Sequence, residues 1–537
     1  MTDQQFDAVV VGGGHNGLVC GTYLARQGHK VCVLERRDIV GGAAVSEAVW
    51  PGYRVSTGAY TMALLQPRII QELDLAREGF EVLVPPPMVH FYDRERYLVL
   101  HGDSERLHAE LARYSRVDAD AYPDYVQTMK AIGEVVSRML WEIPPDPGSS
   151  KLSERVRLAR FAWKNRNLGA VFYDVYELMT LSGYDWLKRW FVSDEVITAL
   201  GFYVACSGAA TTLSAPGSAY ILLRGFIRDN TTAAGPSGFV RGGMGSISEA
   251  IAAAGRRHGL IIRTNAQVRN VILHDGRAQG VVLEDGSEIR ARAVVSNVPS
   301  KLLFGSMVDA EALDADFTRR VGRIRDRSAA FKINFALRRL PSFTGFEPER
   351  SGFAYPAQLR IAPSTRYFEQ SFDAAKYGRI AQNPALVLTT PSVVDDSVAP
   401  SGRHLMHVFG QHAPYALETG AWDDDARKRL YANAVDTITQ YAPDFADCID
   451  DCQVLSPHDI EQHFLLPGGH VHHGELSADQ ILFNRPVHGS AAYRTPVDGL
   501  FQCGASAHPG GGVTGVPGYN AARVVLKALG RSRQRRT

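Results

Sequence analysis

The chain has 537 residues, several times the size of an ordinary domain, so it can hold more than one folded unit. Its 58 lysines and arginines balance 57 aspartates and glutamates, which argues against a nucleic-acid partner attracted by overall charge. Six cysteines suit a reducing compartment, and residues 1–5 lack the basic region of a secretory signal. We therefore expect a cytoplasmic protein, and peripheral contact with the inner face of a membrane stays open.

The amino-terminal residues carry the most informative pattern. An apolar run at Phe6–Val11 precedes a glycine-rich stretch at 12–17 and a helical stretch, and a second apolar run at Val31–Leu34 ends at Glu35. This order of strand, turn, helix and strand, closed by an acid, is typical of a Rossmann-type dinucleotide-binding unit.

Each glycine of this pattern, and the acid that closes it, has a physical role. Gly12 permits the tight turn, Gly14 lets the backbone approach a pyrophosphate, and Gly17 lets the helix pack closely on the strand. The helix amino terminus offers free N–H groups to the phosphates. Glu35 is placed to accept the ribose hydroxyls, and its charge disfavours a cofactor with a 2′-phosphate.

The rest of the chain alternates in character. Apolar residues at helical spacing predict mostly helix between 105 and 230. Residues 239–298 predict a short helix and three strands, separated by the turn dipeptides Asp275-Gly276 and Asp285-Gly286, the last strand being buried and parallel. Further strands at 331–337, 385–390 and 404–410 predict an antiparallel sheet. A strand at 500–503, a glycine-rich loop at 504–518 and a helix at 520–529 complete the chain.

We predict an α/β fold with a discontinuous nucleotide-binding domain of the glutathione-reductase-like type. It comprises residues 1–105, 235–300 and 465–537. A helical lid or substrate region at 106–234 and an α+β substrate domain at 301–464, with the antiparallel sheet, are inserted between these pieces.

Additional glycine-rich segments favour a flavin over a nicotinamide cofactor. Gly41-Gly42 follows shortly after Glu35 and supplies a second close backbone approach. The segment 510–515 precedes a carboxy-terminal helix, whose N–H groups and dipole would face the pyrimidine edge of a flavin and stabilise negative charge on its reduced form.

Segments 9–47, 240–252, 466–487 and 499–522 resemble the phytoene desaturase and carotenoid isomerase superfamily of FAD proteins. Within it, they are most similar to the branch named pyridine nucleotide-disulfide oxidoreductase domain-containing protein 2. By matching positions, the resemblance implies FAD contacts at Gly12, Gly14, Gly17, Glu35, Arg36, Gly42, Val268, Gly504, Val516, Pro517 and Gly518.

The resemblance implies a FAD-dependent oxidoreductase that transfers hydride between a hydrophobic, polyene or lipid-like substrate and the flavin, as a desaturase or saturase. Residues 196–223, too polar to span a bilayer, are predicted to line an apolar tunnel. Flavin amine oxidation, redox-neutral polyene isomerisation and a FAD-containing regulatory role at respiratory membranes stay open. The sequence leaves the oligomeric state unknown.

Several side chains are candidates for proton transfer or metal binding. His508, in the predicted flavin loop, is the candidate for proton transfer, with Tyr60 and Tyr519 as weaker candidates. Histidines and one acid cluster at His458, His463, His470, His472, His473 and Glu475. No metal site is predicted, because their spacing fits no zinc pattern. We expect a loop that lies against the flavin or substrate, and ordinary surface or packing roles stay open.

Two further patterns bear on redox chemistry and on membranes. Cys20 and Cys32 are expected to be buried fillers, and Cys448 and Cys452, at helical spacing, are expected to form a structural or exposed pair rather than a redox centre. The basic segment 151–166 contains Phe161 and Trp163 and fits either a membrane-surface helix or a solvated face.

Overall fold

The computed structural model describes residues 5–208, 210–227 and 238–534, the last four by their backbone alone. The strands, numbered in chain order, are β1 (Phe6–Val11), β2 (Val31–Leu34), β3 (Val82–Leu83), β4 (Met88–Phe91), β5 (Tyr97–Leu100), β6 (Phe239–Val240), β7 (Ile261–Arg263), β8 (Val268–His274), β9 (Arg277–Leu283), β10 (Glu288–Ser296), β11 (Ala330–Leu337), β12 (Gln358–Ile361), β13 (Ala385–Thr389), β14 (His404–Gln411), β15 (Ile449–Leu455) and β16 (Leu500–Gln502).

The α-helices are α1 (His15–Arg26), α2 (Pro67–Glu72), α3 (Ser104–Ala112), α4 (Arg116–Leu140), α5 (Leu152–Lys164), α6 (Val171–Thr180), α7 (Gly183–Leu187), α8 (Asp194–Ala205), α9 (Gly245–Arg257), α10 (Ser300–Leu302), α11 (Ala315–Gly322), α12 (Pro348–Ser351), α13 (Thr365–Lys376), α14 (Asp424–Thr439), α15 (Phe445–Cys448), α16 (Pro457–Phe464) and α17 (Val516–Gln534). A 3₁₀ segment at Ala219–Gly225 follows α8.

The first sheet has a parallel centre in the order β7, β2, β1, β10 and β16. Its central strands are apolar along their length because α1, α9 and α17 cover one face and a second apolar cluster covers the other. The hairpin β8–β9 pairs antiparallel with the first residues of β10. These pairings confirm the predicted parallel strand and both predicted hairpin turns.

The second sheet follows the order β15, β11, β14, β13, β12, β4 and β5 and is antiparallel except between β12 and β4. One face packs on α14 and α15, and the other faces the helical part of the chain. The antiparallel sheet is confirmed. Strands β4 and β5, which lie within the residues 1–105 predicted for the nucleotide-binding domain, also belong to this sheet, because β4 pairs with β12 more than 250 residues away.

Helices α3 to α8 confirm the predicted helical region in its described part. Helix α5 has no buried residue at all. In the described ranges, none of the helices is both long enough and apolar enough to pass through a lipid bilayer.

The carboxy-terminal helix begins earlier than predicted. Residues 516–518 form the first turn of α17, where a turn before a helix at 520 was expected. Proline fits this position because its missing N–H has no partner in the first turn of a helix.

Candidate functional site

The turn between β1 and α1 brings two stretches of backbone into very close contact. Gly12 has φ +96°, a conformation that favours glycine. A Cβ atom at Gly17 would lie 2.2 Å from the carbonyl oxygen of Gly12, and one at Gly14 would lie 2.8 Å from Nδ2 of Asn297. Gly14 also forms a β-bridge with Gly41 of the following loop. This is the tightly packed cradle that a pyrophosphate requires.

Glu35 closes the adjacent strand and is 6% exposed. Its carboxylate accepts hydrogen bonds from the N–H of Gly13 at 2.8 Å and of Arg37 at 3.0 Å. Its backbone carbonyl accepts from the N–H of Ala266, also at 2.8 Å, which holds the segment with Val268 beside the strand end. The carboxylate is therefore fixed by the backbone of its own turn and lines the neighbouring cavity.

A cavity of about 890 Å³ extends from this turn to the second sheet. Of the positions predicted to contact FAD, six line it, namely Gly12, Gly14, Glu35, Arg36, Gly42 and Val268. The other five are not lining residues: Gly17, Gly504, Val516, Pro517 and Gly518. Gly504 and Gly518 instead permit close packing, because a Cβ atom there would lie 2.5 Å from the oxygen of Asn297 and 2.2 Å from that of Asn16, respectively.

One wall of the cavity is mainly apolar. It is formed by the ring pair Tyr60 and Phe409, whose centroids lie 5.4 Å apart, and by residues of α16 and the loop after it. These apolar lining residues are Leu64, Ile460, Phe464, Leu465, Leu466 and Val471. Such a surface favours a substrate with a large hydrophobic part. The end of α16 also contacts the nucleotide-binding part, because the carbonyl oxygen of His463 accepts a hydrogen bond from Arg36.

Lys332 is the functional residue that sequence analysis missed. It lies in β11, is 2% exposed and lines the cavity. Its Nζ donates to the backbone oxygens of Ser56 and, at 2.7 Å, of Gly58. Burial lowers the pKa of Lys332 well below its usual value, and the charge of Glu47 opposes this shift. A lysine within a wholly buried strand was the available signal, because lysine is rarely buried without a reason.

Histidines also reach this cavity, although not the one predicted. His15, His472 and His473 line it, and burial lowers the pKa of His15 to about 4 and that of His473 to about 3, so both are neutral. His508 is not a lining residue. Its Nε2 lies 3.0 Å from the carbonyl oxygen of Met139 at the end of α4.

The other side chains considered for a chemical role are Tyr519, the clustered histidines and the cysteines. Tyr519 packs edge-on against Tyr23 and is not a lining residue. Within the described residues, no group of three or more His, Cys, Asp or Glu side chains has a geometry that could hold a metal ion. All six cysteines are free, and Cys452 lies in strand β15, so the helical spacing assumed for it and Cys448 is wrong.

Glu47 links the loop after Gly42 to α16. Its carboxylate accepts hydrogen bonds from Arg37, from Thr57 and, at 2.9 Å, from Nε2 of His463. Burial alone would raise the pKa of Glu47, but the bonds from His463 and Thr57 and the charge of Arg37 outweigh it and lower the pKa to about 2. Because Arg37 and Thr57 line the cavity, Glu47 holds two of its walls in place.

Replacing Glu47 with glutamine is expected to lower the free energy of unfolding by about 2 kcal/mol at neutral pH. The stabilising effect of a carboxylate with a depressed pKa is present above its ordinary pKa of 4.5 and is lost as the pH falls towards about 2. The difference between wild type and Glu47→Gln, measured by urea denaturation, should therefore shrink over that range. Glu249→Gln, which removes an exposed partner of Arg54, is the control and should change stability little. An equal effect of both substitutions would contradict the assignment.

The geometry defines the class of this protein before any comparison. Three features of the turn fit FAD: the glycine cradle, the fixed carboxylate at the end of the second strand and the second glycine contact at 41–42. Two buried polar atoms of cavity-lining residues, Asn16 Oδ1 and His473 Nδ1, have no hydrogen-bond partner among the described residues, so a bound cofactor can supply one. The fold is a FAD-binding α/β fold with mixed sheets.

The chain belongs to the family of flavin containing amine oxidoreductases, whose family model matches residues 17–526. It is 36% identical to the pyridine nucleotide-disulfide oxidoreductase domain-containing protein 2 of Rattus norvegicus, over 98% of this chain and 94% of the relative. It is 27% identical to a phytoene desaturase (neurosporene-forming) of Rhodobacter capsulatus, over 95% and 92%, respectively. A solved oxidoreductase structure from Methanosarcina mazei has a TM-score of 0.60 at 16% identity, covering 98% of this chain and 100% of that one.

These similarities confirm the predicted resemblance and the predicted cofactor. The protein is a FAD-dependent oxidoreductase, and its substrate is unassigned.

Proposed function

We propose that the protein oxidises or reduces a carbon–carbon bond of a hydrophobic, polyene or lipid-like substrate, as a desaturase or saturase. In this proposal the nucleotide-binding part is of the glutathione-reductase-like type and discontinuous, and the second sheet with its helices forms an inserted substrate domain. The substrate lies against the apolar wall of the cavity, which the Tyr60–Phe409 pair and α16 form.

The distribution of charge in the cavity carries the proposal. Its two acidic lining residues, Glu35 and Glu284, lie at the nucleotide end. The described lining residues contributed by the second sheet and by the 3₁₀ segment Ala219–Gly225 include the cation Arg224 and the buried Lys332, and no acid. A protonated amine there would meet no lining carboxylate and would face the like charge of Arg224, whereas a neutral or anionic apolar molecule would not.

Bound FAD supplies a two-electron acceptor and donor of hydride. The residues of the chain position the substrate, exclude water through the apolar wall and handle the accompanying proton. Lys332 is the side chain suited to the last task. As a neutral amine it has two N–H groups, which can donate hydrogen bonds to the oxygens of Ser56 and Gly58. Its lone pair then stays free to take a proton.

Amine oxidation is the second candidate, because the family is named for it and because the Tyr60–Phe409 pair can contact a cation through its ring faces. The two candidates differ in the end group of the substrate that the cavity accepts. A set of molecules with one polyunsaturated chain and a hydroxyl, carboxylate or ammonium end group separates them.

The purified, FAD-loaded protein should lose its flavin absorbance on anaerobic mixing with the hydroxyl or carboxylate member of this set, or with a polyene. The ammonium member should act at least about tenfold more weakly, because it must lose its proton or accept repulsion from the charge of Arg224. Bleaching by amines alone would overturn the proposal in favour of amine oxidation. Isomerised product without net reduction of the flavin would instead indicate a redox-neutral isomerase.

A further inference from the structure

Helix α5 carries an apolar stripe that faces away from the rest of the protein. Leu152, Val156 and Trp163 are 77%, 42% and 66% exposed. At about 100° per residue these three positions fall within roughly 40° of one another around the helix. The opposite side, with Arg157 and Phe161, contacts the protein through the carbonyls of Ile143 and Pro144 and the ring of Phe483.

The charges of this helix are divided between its two sides. Arg157 faces inward and is paired with Glu154. Arg155 and Arg160 flank the apolar stripe, are exposed, and make no ion pair within the described residues. Residues 151–166 hold six lysines and arginines against a single acid. The outward side is therefore both apolar and strongly cationic.

The next helix extends the same character. Phe172, Tyr173 and Tyr176 of α6 are 55%, 68% and 62% exposed and lie on one side of that helix, whereas Leu178 on another side is fully buried. We call Leu152, Val156, Trp163, Phe172, Tyr173 and Tyr176 together the α5–α6 surface. Several large apolar side chains exposed on two successive helices mark an interaction site.

We propose that the α5–α6 surface docks on the headgroup region of an anionic lipid bilayer. A helix with an exposed apolar stripe bordered by arginines suits the plane of such an interface, where the apolar side chains enter the acyl boundary and the cations face the lipid phosphates. Tryptophan and tyrosine favour that depth because their rings are apolar and carry a polar group. A protein partner would not explain the unpaired Arg155 and Arg160 on either side of the stripe as simply.

The position of this surface relates it to the cavity. Helix α6 packs against the 3₁₀ segment Ala219–Gly225, and Arg224 and Gly225 of that segment line the cavity. Docking would therefore hold one wall of the cavity close to the bilayer, where apolar molecules are concentrated. The docking itself does not depend on the proposed reaction.

Co-sedimentation of the FAD-loaded protein with vesicles tests the proposal without any substrate. The protein should bind vesicles of phosphatidylcholine mixed with phosphatidylglycerol, more weakly as salt is added, and bind phosphatidylcholine alone poorly. Arg155→Gln/Arg160→Gln should reduce binding to anionic vesicles roughly tenfold or more. Leu152→Ser/Val156→Ser/Trp163→Ser should reduce it at least as much.

Matched controls use exposed residues elsewhere. Lys428→Gln/Arg429→Gln on α14 removes the same number of charges, and Tyr377→Ser removes another exposed ring; both should bind like wild type. Flavin content and thermal unfolding report whether each variant folds. Absence of wild-type binding to anionic vesicles, or unchanged binding of the serine variant, would overturn the proposal. If the wild type formed a dimer and bound no lipid, and the serine variant were monomeric, the proposal would be overturned in favour of contact between two copies.

Discussion

Substituting Gly17 with alanine is expected to weaken FAD binding at least about 100-fold, equivalent to about 2.7 kcal/mol. Alanine is the better helix former by about 1 kcal/mol, so helix propensity alone predicts stabilisation of α1. The added Cβ would lie 2.2 Å from the carbonyl oxygen of Gly12, and the backbone of Gly12 cannot move away without opening the turn. We therefore also expect a loss of about 2–3 kcal/mol in the free energy of unfolding.

Two other glycines provide a graded control. Alanine at Gly21, also in α1, would meet methyl groups of Val33 and Leu260 at 3.0 and 3.1 Å, and side chains can shift by this amount. Alanine at Gly322 in α11 would meet no atom within 4 Å. The expected order of FAD affinity, measured by titrating apoprotein with FAD, is Gly322→Ala equal to wild type, then Gly21→Ala, then Gly17→Ala. Full FAD affinity in Gly17→Ala would show that close contact with the Gly12 turn is dispensable.

The nucleotide end of the site was predictable because its requirements are local in sequence. A turn at φ +96° needs glycine at 12, and the acid that closes the second strand lies only 22 residues from the N–H of Gly13 that it binds. Such features depend on a few neighbouring positions, so a single sequence contains them in full.

The contacts around Lys332 and Glu47 were not predictable for the opposite reason. Glu47 is bound by His463, which is 416 residues away, and Lys332 is satisfied by oxygens more than 270 residues away. Strands β4 and β12 pair over a similar distance. Sequence patterns describe what each segment prefers, and they do not specify which distant segment covers it.

His508 illustrates how a local motif can mislead. It follows a glycine-containing strand end and lies in a loop of the expected type, so its sequence position suggested contact with the cofactor. The chain turns so that its ring meets the end of α4 instead, and Gly512 and Val513 of the same loop reach the cavity. The direction of a side chain within such a loop depends on packing, which the local motif does not specify.

Replacing Lys332 with methionine is expected to slow reduction of the flavin by substrate roughly 100-fold or more while leaving the protein at least as stable. Methionine has a similar shape, and replacing a buried ionisable group with an apolar one is often neutral or stabilising by about 1–4 kcal/mol. Because burial depresses the pKa of Lys332, the fold loses stability as the pH falls below the ordinary lysine value of 10.5. The stabilisation by methionine should therefore be larger at neutral pH than at high pH.

The adjacent Ile333 separates a role in the reaction from a role in packing. It lies on the opposite face of β11, within the core against α14, so Ile333→Val should cost about 0.5–1.5 kcal/mol in stability and leave the rate of flavin reduction unchanged. Stopped-flow absorbance gives the rate, and urea denaturation gives the stability of each variant. If substrate reduced the flavin of Lys332→Met at the wild-type rate, the role of Lys332 would be limited to hydrogen bonds that hold residues 56–58 against the second sheet. A lysine that is retained for proton transfer at a cost to the fold should give a slower rate and an unchanged or higher stability when it is replaced by methionine. Ile333→Val should show neither change.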